Sequence, residues 1–224
     1  MIEPHENEQA LRAAVVATAR EMNALGINRG KSGNVSARWR GTELDGYLIT
    51  PTGMPYADTT PEDIVAMALD AGADAGHGQR LPSSEWRFHR DIYRARDDVH
   101  AIVHTHAPFA TSLACLHRVI PSFHYMVAIA GGKDIRCAPY ATFGTQALSD
   151  HALAALEGRK ACLLANHGMI AVGGSLAAAL ALAVEVETLA EMYWRALQVG
   201  EPVLLSDAEM DVVVEKFRSY GQRR

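Results

Sequence analysis

The chain has 224 residues, 49% of them apolar, and a formal net charge of −5. That composition belongs to an ordinary globular protein, and the length suits a single domain over residues 1–224 with a sizeable core. The acidic balance, with no run of Lys or Arg, excludes a nucleic-acid binder, and the most apolar helical stretch, around 176–184, is too short to span a bilayer before it meets Glu185 and Glu187.

The N-terminus, Met1 to Glu6, is acidic without an apolar run and does not read as a secretory leader. Helical spacing of Leu11, Val15, Val16, Ala19 and Met22 predicts a helix over 8–25, capped by Gly26. A polar, glycine-rich link, 28–34, leads to an alternating strand at 35–39, a turn at 43–46 and a strand at 47–49. Residues 50–55 carry too much Pro and Gly for regular structure. Thr60-Pro61 starts a short helix, 65–69 is a strand, and 71–80 reads as a surface loop.

Pro82-Ser83-Ser84-Glu85 opens a helix that runs to about Arg96. The central strand spans 99–106, and Pro108 begins a helix ending near Leu116. Residues 120–130 are apolar up to the break at Gly131-Gly132. A strand at 136–140, a helix at 145–156 and strands at 161–165 and 169–172 follow. A long helix over 175–199 stops at Gly200, and Ser206 with Glu209 forms a capping box for a last helix, 208–219. These elements predict one α/β/α layered domain whose sheet is not purely parallel, since several strands are joined by short turns. Cys115, Cys137 and Cys162 show no CxxC spacing and read as reduced thiols of a cytoplasmic protein, with Cys162 buried in mid-strand.

Chemistry concentrates at the strand ends. His104 and His106 stand two apart at the end of an apolar strand, so their side chains share a face. A second apolar strand ends in Asn166-His167-Gly168. Three histidines with a fourth position open are the plan of a catalytic zinc site; the plainer reading is three hydrogen-bonded histidines. Ser83 and Ser84 fall where the free N–H groups of a helix would meet an anion, with Glu85 beside them as a candidate base, although a plain N-cap has the same pattern. Gly33-Asn34 suits a phosphate cradle or a simple turn, and Thr52-Gly53 either closes the anion site or forms a rigid turn. His89, one turn past Glu85, either bonds to it or faces solvent; Tyr125, in an apolar run, reads as core.

Gly33-Asn34-Val35-Ser36, Thr50-Pro51-Thr52-Gly53, Pro82-Ser83-Ser84-Glu85, His104-Thr105-His106 and Asn166-His167-Gly168 occur in the order found in the class II aldolase/adducin family, which the chain resembles over essentially its whole length. The stretches 83–89, 120–132, 137–144 and 215–221 resemble the bacterial branch that cleaves L-fuculose 1-phosphate. The resemblance implies a three-layer α/β/α fold with a mixed, largely antiparallel sheet. It implies one Zn²⁺ per subunit on His104, His106 and His167, with Glu85 as displaceable fourth ligand and proton-transferring group. Gly33, Asn34, Thr52, Gly53, Ser83 and Ser84 are implied to hold the phosphate of a small phosphorylated sugar. Tyr125 is implied to reach a neighbouring subunit's site and handle the aldehyde-side proton, and Phe143 and Tyr220 to line the aldehyde pocket, in a C4 homotetramer with sites between subunits. Cleavage to dihydroxyacetone phosphate and an L-lactaldehyde-like product is the implied reaction. A pentulose-phosphate 4-epimerase and a 5-deoxyribulose 1-phosphate salvage aldolase are alternatives within the fold, and a non-enzymatic adducin-head-like module lies outside catalysis. Lys31 departs from the family's small hydroxyl residue; it adds charge to the phosphate site or points to solvent.

Overall fold

β4 (Ala101–Thr105), the strand that carries His104, lies in the middle of a seven-stranded sheet of order β3-β2-β1-β4-β7-β6-β5. The computed structural model describes residues 8–40, 45–70 and 79–218. The other strands are β1 (Asn34–Arg40), β2 (Asp45–Ile49), β3 (Val65–Ala68), β5 (Cys137–Ala138), β6 (Ala161–Leu164) and β7 (Gly168–Gly173). Every pairing is antiparallel except β5 with β6, so the sheet is mixed and largely antiparallel, as expected. The α-helices among the described residues are α1 (Glu8–Ala24), α2 (Trp86–Ala95), α3 (Pro108–Cys115), α4 (Gln146–Ala155), α5 (Leu176–Val199) and α6 (Asp207–Arg218).

The helices divide between the two faces, which makes three layers. On one face, Val15 and Met22 of α1, Leu113 of α3 and Val186 and Leu189 of α5 pack with Val35 and Val103. On the other, Phe88 and Ile92 of α2 and Leu148 of α4 pack with Ile49, Ile102 and Ile170. Strands covered on both faces need apolar side chains in both directions, which is why β4, β6 and β7 read as nearly continuous apolar runs. β1 is the exception. Its Val35 and Ala37 enter the first core, while Asn34, Ser36 and Arg38 are buried on the face that meets α2. Arg38 is held there by the carbonyls of Tyr93, Arg96 and Val99.

Three expected elements take another form. The helix expected to open at Pro82-Ser83-Ser84-Glu85 begins at Trp86, with Glu85 at its N-cap. The apolar stretch 120–130 is a 3-10 segment, Tyr125–Ala130, entered through an Ile120–Ile135 bridge and ended by Gly131 at φ 93. Its apolar run alone did not separate strand from helix. The strand expected at 136–140 contracts to two residues, Cys137–Ala138, which form the sheet edge and pair only with Leu163 and Leu164 at the end of β6. The acidic N-terminus, the start of the 43–46 turn, most of the 71–80 loop and the end of the last helix lie outside the described residues. Among the described residues, no helix is long and apolar enough to cross a membrane.

Candidate metal centre and substrate pocket

β4 and β7 pair antiparallel with Thr105 opposite Met169. That register sets the β6–β7 turn beside the end of β4. Asn166 occupies the left-handed region at φ 56, a conformation Asn tolerates better than most residues, and turns the chain so that His167 faces His104 and His106. The three ring centroids are 4.9–5.1 Å apart, and one ligand atom from each histidine lies within 4.8 Å of the others. His104 Nε2 and His106 Nε2 are 3.2 Å apart. His104 Nδ1 lies 2.9 Å from the Met169 carbonyl; donation to that oxygen leaves Nε2 as a lone pair aimed at the cluster.

Glu85 enters from the start of α2. Its Oε2 is 3.1 Å from His104 Nε2 and its Oε1 is 3.2 Å from His167 Nε2. Asn34 Nδ2 donates to Oε2 at 3.0 Å, while the buried Oε1 has no hydrogen-bond donor. Burial pushes the Glu85 carboxyl up, but the adjacent His104 charge and hydrogen bond, His167 and Asn34 outweigh it and hold the group down at about 2. His104 is driven down by burial and up by Glu85, with a net rise above 6.5. Burial, reinforced by the His104 charge, pushes His106 and His167 down to about 4. Nitrogen lone pairs and a carboxylate oxygen without a donor thus converge on one point. A divalent cation satisfies all of them at once, so the residues fit a resident metal.

Beside this cluster opens a cavity of about 430 Å³. Gly33, Asn34, Thr52, Gly53, Ser83 and Ser84 line it together with Tyr140, Ala141 and Phe143 and with Glu85, His106 and His167 of the cluster. Two backbone bonds join the 50–52 and 81–83 segments: Ser83 N–H donates to the Thr50 carbonyl and Thr52 N–H to the Leu81 carbonyl, which together make the bridge between Pro51 and Pro82. Ser83 Oγ accepts from the Glu85 N–H at 3.3 Å, fixing the carboxylate's backbone. The Tyr56 hydroxyl donates to the Gly33 carbonyl at 2.6 Å. Lys31 is exposed at the mouth of the cavity.

Gly33 sits at φ +70, and a Cβ there would lie 2.5 Å from the His104 carbonyl oxygen and 2.9 Å from Asn28 Oδ1. Gly33→Ala is therefore expected to cost at least about 1–3 kcal/mol and to lower the thermal unfolding midpoint. An unchanged midpoint would mean that the loop yields freely and that glycine is not required there.

Of the residues singled out from the sequence, the fold brings Gly33, Asn34, Thr52, Gly53, Ser83, Ser84, Glu85, Phe143 and the three histidines together. Tyr125 is 51% exposed and does not line this chain's cavity. Tyr220 lies outside the described residues. Tyr140 and the side chain of Asn166 were not expected in the cavity wall. Nor was the setting of His89, which is fully buried and bonded to Asn34 and Ser36 rather than solvated or bonded directly to Glu85. A signal for it exists in the sequence: polar residues at 34, 36 and 38 on a strand, and at 85, 89 and 93 on a helix, each repeat with the period of one face.

The model of the class II aldolase and adducin N-terminal domain matches residues 13–194. The chain is 59% identical over 212 residues to a 5-methylthioribulose-1-phosphate/5-deoxyribulose-1-phosphate aldolase of Rhodospirillum rubrum, covering 95% of this chain and 93% of that protein. It is 50% identical over 214 residues to the L-fuculose phosphate aldolase of Escherichia coli K12, covering 95% and 96% respectively. A solved structure of an L-fuculose 1-phosphate aldolase superposes with a TM-score of 0.89 at 40% identity, covering 96% of this chain and all of that one.

Proposed function

Because the chain belongs to the class II aldolase and adducin family, whose aldolases are metal-dependent lyases, we propose that it cleaves a ketose 1-phosphate to dihydroxyacetone phosphate and an aldehyde, with Zn²⁺ as its metal. The observation that carries this reading is the convergence of His104, His106, His167 and Glu85 on one point at the floor of a cavity with an anion-suited wall. Three imidazole nitrogens and a carboxylate oxygen are a donor set that suits zinc. The complete ligand set stands against a non-enzymatic module.

Bound there, the metal supplies Lewis-acid stabilisation of the negative charge that develops on the substrate's carbonyl oxygen. The chain's own residues do the rest. Ser83, Ser84, Thr52 and Gly53, with the Gly33-Asn34 backbone, hold the phosphate and fix the ketose along the cavity. As the C3–C4 bond breaks, the C4 hydroxyl gives up its proton and C4 leaves as the aldehyde carbon. The pair of electrons stays on the dihydroxyacetone phosphate half as an enediolate; Glu85, protonated by exchange with solvent, delivers the proton that C3 needs and returns to the carboxylate, so the proton taken from solvent balances the one released from the C4 hydroxyl. In the synthetic direction Glu85 removes that proton. Tyr125, which is exposed and does not line its own chain's cavity, relays the C4 hydroxyl proton to solvent through its own hydroxyl in the site of a neighbouring copy, within a C4 tetramer. Phe143, with Tyr140, contacts the aldehyde end, as does Tyr220.

The relative at 59% identity favours a substrate deoxygenated at its far end, 5-methylthioribulose or 5-deoxyribulose 1-phosphate. L-Fuculose 1-phosphate is the second reading, favoured by the relative at 50% identity and by the superposed structure. A panel of these three ketose 1-phosphates, assayed for dihydroxyacetone phosphate release with and without a chelator, separates them by kcat/KM. Chelator-sensitive release is the expected result for all three, fastest with a deoxygenated one. Formation of a 4-epimer without release of dihydroxyacetone phosphate would overturn the aldolase reading.

A further inference from the structure

The polar face of β1 and the buried side of α2 meet along a single line of side chains that ends on Glu85. Asn34 Nδ2 lies 3.0 Å from Glu85 Oε2. Asn34 Oδ1 contacts His89 Nε2. His89 Nδ1 lies 2.7 Å from Ser36 Oγ, which lies 2.8 Å from the Tyr93 hydroxyl. Asn34, Ser36, His89 and Tyr93 are each no more than 2% exposed, so water does not compete along the line.

The chemistry of these groups fixes the direction of every bond. An ionised carboxylate only accepts, so Asn34 must present its NH₂ to Glu85 and its oxygen to His89. That oxygen needs a donor, which puts the ring proton of His89 on Nε2. Nδ1 is then a lone pair and accepts from the Ser36 hydroxyl. Ser36 has one proton, already used, so its oxygen accepts from Tyr93. All four donors point towards Glu85, and successive bonds in such a chain polarise one another. A neutral His89 is required throughout; burial, reinforced by the His104 charge, pushes its ring down to about 3, which keeps it neutral. Phe88 stacks on the ring at 4.6 Å between centroids and limits its rotation.

We propose that His89 is a positioning residue, which through its Nε2–H locks the Asn34 amide in the one orientation that gives Glu85 a hydrogen-bond donor. Without it the amide is free to turn its oxygen towards the carboxylate, an arrangement that repels Glu85 from its place. The inference rests on Glu85 as the proton-transferring group, and it adds two residues, His89 and Ser36, that never touch substrate.

The test uses the metal-loaded, full-length protein with metal content measured for each variant. His89→Phe keeps the ring volume and loses the donor; His89→Gln carries an N–H near the position of Nε2. We expect kcat to fall about 10–100-fold in His89→Phe with KM changed less than about 2-fold, and most of that loss to be recovered in His89→Gln. Equal losses in the two variants would reduce His89 to packing and overturn the proposal. Wild-type turnover in His89→Phe beside a strongly impaired Glu85→Gln would overturn the relay alone, whereas full turnover in Glu85→Gln would remove the base assignment beneath it. A readout independent of turnover, and of whether His89→Phe folds, is the tautomer itself. In protein labelled with ¹⁵N-histidine, ring nitrogen shifts should identify His89 as neutral and protonated on Nε2. A proton on Nδ1, or on both nitrogens, would overturn the proposal.

Discussion

Glu85→Gln is expected to lower kcat by about 10²–10⁴-fold while leaving the metal bound. Gln has the shape of Glu and neither accepts nor returns a proton at neutral pH, so the substitution isolates the proton transfer from the packing. The carboxylate it removes is buried, and in the metal-free protein its cationic and N–H neighbours hold it down at about 2 against the push of burial. Three imidazoles remain to hold the metal. KM should change little, because the phosphate wall is built from other residues. Steady-state kinetics and metal analysis on the same preparation check this result. Loss of folding in place of loss of turnover would make Glu85 structural.

His104→Ala should be more severe. The metal is asked for several kcal/mol of transition-state stabilisation, and each 1.4 kcal/mol is a factor of ten, so turnover should drop by about 10³-fold or more, together with the metal content. The neighbouring pKa directions give the site a matching pH dependence. In the metal-free protein His104 sits above 6.5 because the Glu85 charge outweighs burial, so its proton is held tightly in the folded state. That contribution is present at acid pH and is lost as pH rises through the raised value. Metal and proton compete for the same nitrogen, so metal affinity moves the opposite way. The gap between the unfolding midpoints of loaded and metal-free protein should therefore widen from pH 6 to pH 9 at fixed free metal. A constant gap would mean that His104 is not the proton's competitor. His106 and His167, held at about 4, enter only in stronger acid.

The metal cluster was readable in the sequence because its geometry is local at each end. The period of two places His104 and His106 on one face whatever the rest of the sheet does, and His167 follows a second apolar strand in the same way. Glu85 was readable as a carboxylate at the head of a helix, beside the two serines. What joins these pieces is not local: that β7 lies against β4, and so brings His167 to His106, depends on a register between segments far apart in the chain. His89 escaped because its meaning depends on two one-face polar repeats, 34/36/38 and 85/89/93, meeting across segments far apart in the chain, with β1 turning its polar face inward. The 3-10 segment at Tyr125–Ala130 escaped because an unbroken apolar run carries no period to measure.

The ligands come from the head of α2, the end of β4 and the tip of the β6–β7 turn. None of these segments carries a complete ligand set on its own, so only a chain with α2 docked and β4 paired to β7 offers the whole cage. A metal held there would close two long loops at once, after the conformational entropy of bringing their ends together has already been spent by the sheet. Such an ion would be a late rivet on a finished frame, and its uptake during refolding would time the completion of native topology rather than its nucleation.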